Sequence, residues 1–161
     1  MAGVGVEVFK HNLWANLRLL DACAALSEDD LQATAPGTYG QVRDTLVHIF
    51  ASEGRYVGEF NGKVEGMLAE DEPFAGFESL RGRAVRSGEA LIAVANRSSA
   101  DRVLRGTYRD QPYVMPASML LVQAINHATE HRAHIVSILS QRGIEAPRLD
   151  GIGYFMAGQR G

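Results

Sequence analysis

PASMLLVQAINHATEHRAHIVSILSQRG, residues 116–143, decides the fold. Leu120, Ala124, His127, His131, Ile135 and Ile138 recur at steps of three and four, which brings side chains to one face of an α-helix. Pro116 suits a first helical turn, and Gly143 sits where a C-terminal cap would sit. The spacing predicts one helix over about residues 116–141. Its inward stripe is apolar except for two histidines one turn apart. A helix with such a stripe needs partners to cover it.

Three other segments carry the same period. Phe9, Leu13, Leu17, Leu20 and Ala24 predict a helix over about residues 4–26. Val42, Leu46, Ile49, Tyr56 and Phe60 predict one over about 41–61, and Leu80, Ala84, Leu91, Val94 and Ala95 one over about 77–96. Within the last, Gly82 and Gly88 are each expected to weaken the helix by roughly 1 kcal/mol relative to Ala. Between the first two, Ser27 before EDDL reads as an N-cap of a short extra helix, and APGTYG (35–40) reads as a loop. GKVEGMLAEDEPFAG (62–76) reads as a linker. From Val103 to Met115, strand-forming Thr107, Tyr108, Tyr113 and Val114 surround RDQP, which predicts a small hairpin with its turn there. Four long amphipathic helices bury their stripes against one another most economically as an all-α four-helix bundle, with the β-hairpin before the last helix.

The bulk properties narrow the function. A length of 161 residues suits one domain, residues 1–161, with a sizeable core. The net charge of -3 leaves no basic field for nucleic acid. No apolar run is long enough to span a membrane, and MAGVGVEVFK lacks the pattern of a secretory signal. With Cys23 alone, no disulfide forms within the chain, and a cytoplasmic setting is expected. Cys23 itself, among alanines, reads as a packed small hydrophobe. There is no glycine-rich phosphate loop, no nucleophile elbow and no CxxC.

The histidines carry what chemistry there is. His127 and His131, four apart on an apolar face, can point at one ion. A third ligand has to come from another helix, and His48 in DTLVHIFASE lies among Leu46, Ile49 and Phe50. Taken singly, each could be a core histidine bonded to a carbonyl. Together they fit a shared cation, because unpaired buried imidazoles are costly. Three histidines leave a coordination position open, as in catalytic zinc sites, where an ion can acidify water or hold a thiolate. His134 is expected at the rim. His11 could be surface or pocket lining. Glu130 reads as a solvated charge. Asp44 and Glu53 could orient an imidazole, though carboxylates at such spacing mostly face water.

HNLWANLRLLD (11–21), VRDTLVHIFASE (42–53) and NHATEHRAHI (126–135), in this order and with these gaps, resemble the DinB/YfiT-like superfamily of metal-binding four-helix bundles. The first is similar to the family's helix-one signature, tyrosine or histidine followed by Asn-x-Trp-Ala-Asn. The last is similar to its Asn-His motif, with His-Arg-Gly-Gln four residues on. The resemblance spans nearly the whole chain. It implies that His48, His127 and His131 are the ligands of a divalent ion, zinc or nickel, and that the chain is a homodimer. It further implies a transferase or isomerase using a low-molecular-weight thiol and a small-molecule substrate, a hydrolase on the same ion, or a non-catalytic metal-binding stress-response protein. The departures are Glu130, where histidine is common, and Ala133-His134 in place of Gly-Gln. These touch the pocket rim and not the triad.

Overall fold

The computed structural model describes residues 3–97 and 102–159. Met1 and Ala2 of the opening stretch lie outside them. Six helices and one antiparallel hairpin follow in the order α1 (Val4–Ala24), α2 (Glu28–Leu31), α3 (Val42–Asn61), α4 (Phe77–Arg97), β1 (Val103–Tyr108), β2 (Gln111–Pro116), α5 (Ala117–Gln141) and α6 (Gly151–Gly158). The four long helices pack in a closed circuit, α1 on α4, α4 on α3, α3 on α5 and α5 back on α1. Two apolar clusters fill the interior. One gathers Leu19, Leu46, Phe50, Ala84, Ile135 and Ile138. The other gathers Phe9, Tyr56, Phe60, Leu91, Leu120 and Ala124.

The local signals explain most boundaries. The Ser27 Oγ accepts from the Asp30 amide and starts α2. Gly143, at φ +71°, ends α5 in the left-handed conformation that costs glycine least, and the Ile144 amide then reaches back to the Leu139 carbonyl. The linker between α3 and α4 is held against the body by the Arg83 guanidinium, which donates to the Met67 carbonyl and to Glu72.

Four readings need correction. The buried face of α1 is not the expected Phe9–Leu13–Leu17 stripe. It keeps Phe9 and Leu20 of that stripe but runs through Asn12, Ala15, Asn16, Leu19 and Cys23, with Leu13 and Leu17 half-buried and Ala24 exposed. A hydrophobic count rotates the helix away from its true inner face because two asparagines sit at the middle of that face. The hairpin turn is Arg109-Asp110, both at positive φ (49° and 62°), so Gln111 and Pro112 already belong to β2. Primed turns of this kind match the twist of a hairpin, and Pro112 is tolerated because a two-stranded sheet has only edges. The short α6 was not expected. Its three glycines and little more than two turns give no period, and it starts because the Asp150 carboxylate caps the Gly153 amide at 2.8 Å.

Gly88 is the fourth. A Cβ there would lie 2.6 Å from Leu13 Cδ1 and 3.2 Å from its Cβ. The glycine that weakens α4 as a helix is what lets α1 approach it. Gly82 on the same helix has nothing within 4 Å of such a Cβ. Gly82→Ala is therefore expected to stabilise the protein by about 0.5–1 kcal/mol through helix propensity. Gly88→Ala loses that gain to overpacking of about 1–3 kcal/mol and is expected to destabilise. Urea unfolding of the two variants checks the opposite signs.

Candidate metal centre

His48 projects from α3, and His127 and His131 from successive turns of α5, where the two helices pack together. The three ring centroids are 4.9, 4.8 and 4.3 Å apart for the pairs 48–127, 48–131 and 127–131. His48 Nε2 and His127 Nε2 are 3.0 Å apart. One ligand nitrogen from each residue falls within 4.8 Å of the others. Two ligands each 2.0–2.1 Å from one tetrahedral ion are separated by about 3.3 Å, so the cluster has the dimensions of a coordination set.

The electrostatics agree with the geometry. Burial pushes the His127 imidazole down to about 3, helped by the proximity of His131 and His48. Burial likewise pushes His131 down to about 4, with His48 and His134 adding to it. His48 is lowered by burial as well, partly offset by Glu70. All three rings are neutral at physiological pH, the form that offers a lone pair to a cation. His127 Nδ1 and His131 Nδ1 are buried with no hydrogen-bond partner. Three neutral imidazoles gathered from two helices, each offering one nitrogen, are a donor set that fits a divalent ion.

The surroundings are aromatic on one side and open on another. Tyr39, from the loop before α3, stacks on His48 with ring centroids 4.1 Å apart and planes 12° from parallel, and meets His131 edge-on. Tyr56 meets His127 edge-on. A cleft of about 840 Å³ adjoins His48 and His127 between α3, α5 and the hairpin, a volume typical of small-molecule sites. A smaller cavity of about 380 Å³ reaches His48 from the side of Tyr39, Asp44 and the α3–α4 linker.

Of the secondary candidates, His134 lies edge-on to His131 at 5.3 Å and outside the coordination set. His11 Nε2 donates to the Leu149 carbonyl, 2.8 Å away, between the rings of Trp14 and Tyr154, and so ties the C-terminal segment to α1. Glu130 is exposed, as is Asp44. Glu53 overturns its reading as a water-facing or histidine-orienting carboxylate: it is wholly buried and receives hydrogen bonds from Asn12, Asn16 and Ser87. Five residues from His48 is a rotation of about 140° round the helix, so the two side chains face different neighbours. Sequence reasoning gave no role to Tyr39, Arg132 or the asparagines. The available signal was Asn12 and Asn16, a polar pair one turn apart inside an apolar helix.

Each imidazole has a folded-state pKa below its unfolded value near 6.5. As the pH falls, the unfolded chain therefore takes up the proton first. The contribution to stability is intact above about pH 6.5 and is lost as the pH falls towards the folded values. The melting temperature of the metal-free protein is expected to drop between pH 6.5 and 4.5, and His127→Gln is expected to flatten that slope. Equal slopes for the two proteins would contradict the assignment.

A comparison with curated proteins finds no match. A family model described as DinB family matches residues 1–160, nearly the whole chain. With its helical fold, hairpin and histidine cluster in hand, the chain belongs to the DinB family.

Proposed function

We propose that this chain is a divalent-metal-dependent thiol transferase or isomerase, built as a single four-helix-bundle domain. His48, His127 and His131 hold zinc or nickel, and the adjoining cleft receives a low-molecular-weight thiol and its electrophilic partner. The observation that carries the reading is the convergence of three neutral imidazoles from two helices beside a cleft of ligand size. A divalent cation supplies there the positive charge that favours a deprotonated thiol at neutral pH.

The chain's own groups do the rest. Tyr56, Met115 and Leu120 give the cleft an apolar wall, and Arg55, Arg109 and Gln123 give it polar anchors. Tyr39, flat against His48, keeps water from one face of that ring and limits its rotation. An ion that only tied α3 to α5 would need no such cleft, which favours catalysis over a structural or stress-response role. A hydrolase on the same three histidines would use water in place of the thiol, and a substrate screen separates the two. The lone, buried Cys23, whose thiol burial pushes up to about 12, suits a reducing cytoplasm and stays out of the chemistry. Among the described residues no helix is long and apolar enough to cross a membrane. The acidic balance argues against a nucleic-acid partner.

Elemental analysis of the purified protein is expected to return close to one zinc or nickel per chain. Alanine at His48, His127 or His131 is expected to remove most of it, whereas His134→Ala keeps it. Metal at a hundred times its Kd should stabilise the wild type by about 2.7 kcal/mol and the three alanine variants hardly at all. A thiol-transfer screen with the loaded protein then tests the reaction. Full metal occupancy in all three variants would remove the chemical basis of the reading. The family resemblance also supports a homodimer, for which light scattering at micromolar concentration is expected to give about twice the chain mass of 17.5 kDa.

A further inference from the structure

Behind the histidines lies a second polar cluster, none of whose members lines the cleft. Asn12 and Asn16 of α1, Glu53 of α3, Ser87 of α4 and Arg132 of α5 are each at most 5% exposed. Arg132 Nη1 donates to Asn12 Oδ1 and to Asn16 Oδ1, both at 2.6 Å. Asn12 Nδ2 and Asn16 Nδ2 each donate to Glu53 Oε1 at 2.8 Å, and Ser87 Oγ donates to Glu53 Oε2 at 2.8 Å. The second guanidinium nitrogen reaches Thr129 Oγ1. One network thus joins all four long helices.

We propose that this network is a positioning device for the metal centre: it fixes the register of α3 against α5 and so holds His48 opposite His127 and His131. The inference rests on the metal reading given above. Arg132 is the residue after His131, and Glu53 lies five residues, about 7.5 Å along the helix, beyond His48. The groups locked by the network and the groups that would bind the ion therefore ride on the same short stretches of backbone. A register error of one residue displaces a side chain by about 1.5 Å and turns it by about 100°. Metal–ligand distances tolerate only about 0.2 Å. Local hydrogen bonds, which usually orient metal-binding imidazoles, do not do so here, since His127 Nδ1 and His131 Nδ1 have no partner among the described residues. Orientation has to come from where the helices sit. A well-packed apolar cluster in place of the network would be about as stable or more so, but it would accept a slipped helix, whereas a slipped network leaves a buried carboxylate and guanidinium unpaired.

The test uses cobalt(II) and zinc(II) alone as probes. Affinity is measured by chelator competition, coordination by the visible absorption of the cobalt form, and fold by far-ultraviolet circular dichroism. Arg132→Lys keeps the charge but replaces the planar guanidinium, whose Nη1 serves both asparagines and whose Nη2 serves Thr129, with a single ammonium, and Asn16→Ser is the mildest break in the bridge. Both are expected to remain helical, to bind about 10–100-fold more weakly, and to shift the cobalt spectrum. Leu31→Ala, buried on the short helix α2, which carries no residue of the network or the triad, is expected to lower the melting temperature with wild-type affinity and spectrum. The proposal is overturned if the two network variants melt earlier yet bind and absorb as the wild type does. It is also overturned if both fail to fold, because the network would then belong to the core and not to the site. A wild-type protein that binds neither ion would refute the metal reading itself, and this inference with it.

Discussion

An arginine can only donate hydrogen bonds and a carboxylate can only accept them, and in this protein two asparagines stand between the two. Arg132 dictates that Asn12 and Asn16 present their oxygens to it, so their amide nitrogens turn to Glu53, which must accept. Every polar atom in the bridge has one orientation available. Burial pushes the Glu53 carboxyl up and Arg132 down to about 10, while the donors around Glu53 and the opposite charge pull each back. Taking such charges out of water costs several kcal/mol per ion, and their mutual attraction returns it only in good geometry. The stability of the fold therefore resides in its two apolar clusters. The network decides which of several similar packings those clusters adopt.

The histidines depend on that decision in a different way. Their pKa values are depressed first by burial, and for His127 and His131 also by neighbouring histidines, since one charged ring would penalise the others. The same crowding that makes them poor bases makes their lone pairs available at neutral pH. A site of this kind needs no local scaffold of carboxylates, provided the backbone delivers the rings to within a few ångströms of one another. The separation of 3.0 Å between His48 Nε2 and His127 Nε2 is that delivery.

Much of this was legible in the residues, and the limits have physical causes. The four long helices and the hairpin could be read because apolar periodicity reports which side of a helix is dry. The triad could be read because His127 and His131 share a face and His48 lies among buried leucine and isoleucine. The inner face of α1 could not, since Asn12 and Asn16 look solvated until Arg132 and Glu53, more than 30 residues away from either, are brought to them. Glu53 looked like a surface charge for the same reason: a partner distant in sequence leaves no local pattern. Gly88 read as a weak point in α4 because helix propensity is local and the approach of Leu13 is not.

The hairpin has a consequence for how such a protein changes over time. Thr107, Tyr108, Arg109, Tyr113 and Met115 face the cleft from β1, β2 and the turn between them, whereas the triad stands wholly on α3 and α5. Among the described residues β1 and β2 pair only with each other, and their turn already holds two non-glycine residues at positive φ. Mutations there can reshape the wall that meets a ligand without disturbing the register on which the histidines rely. Under the proposed function, changes in the hairpin would alter ligand preference and leave the geometry of the three histidines in place.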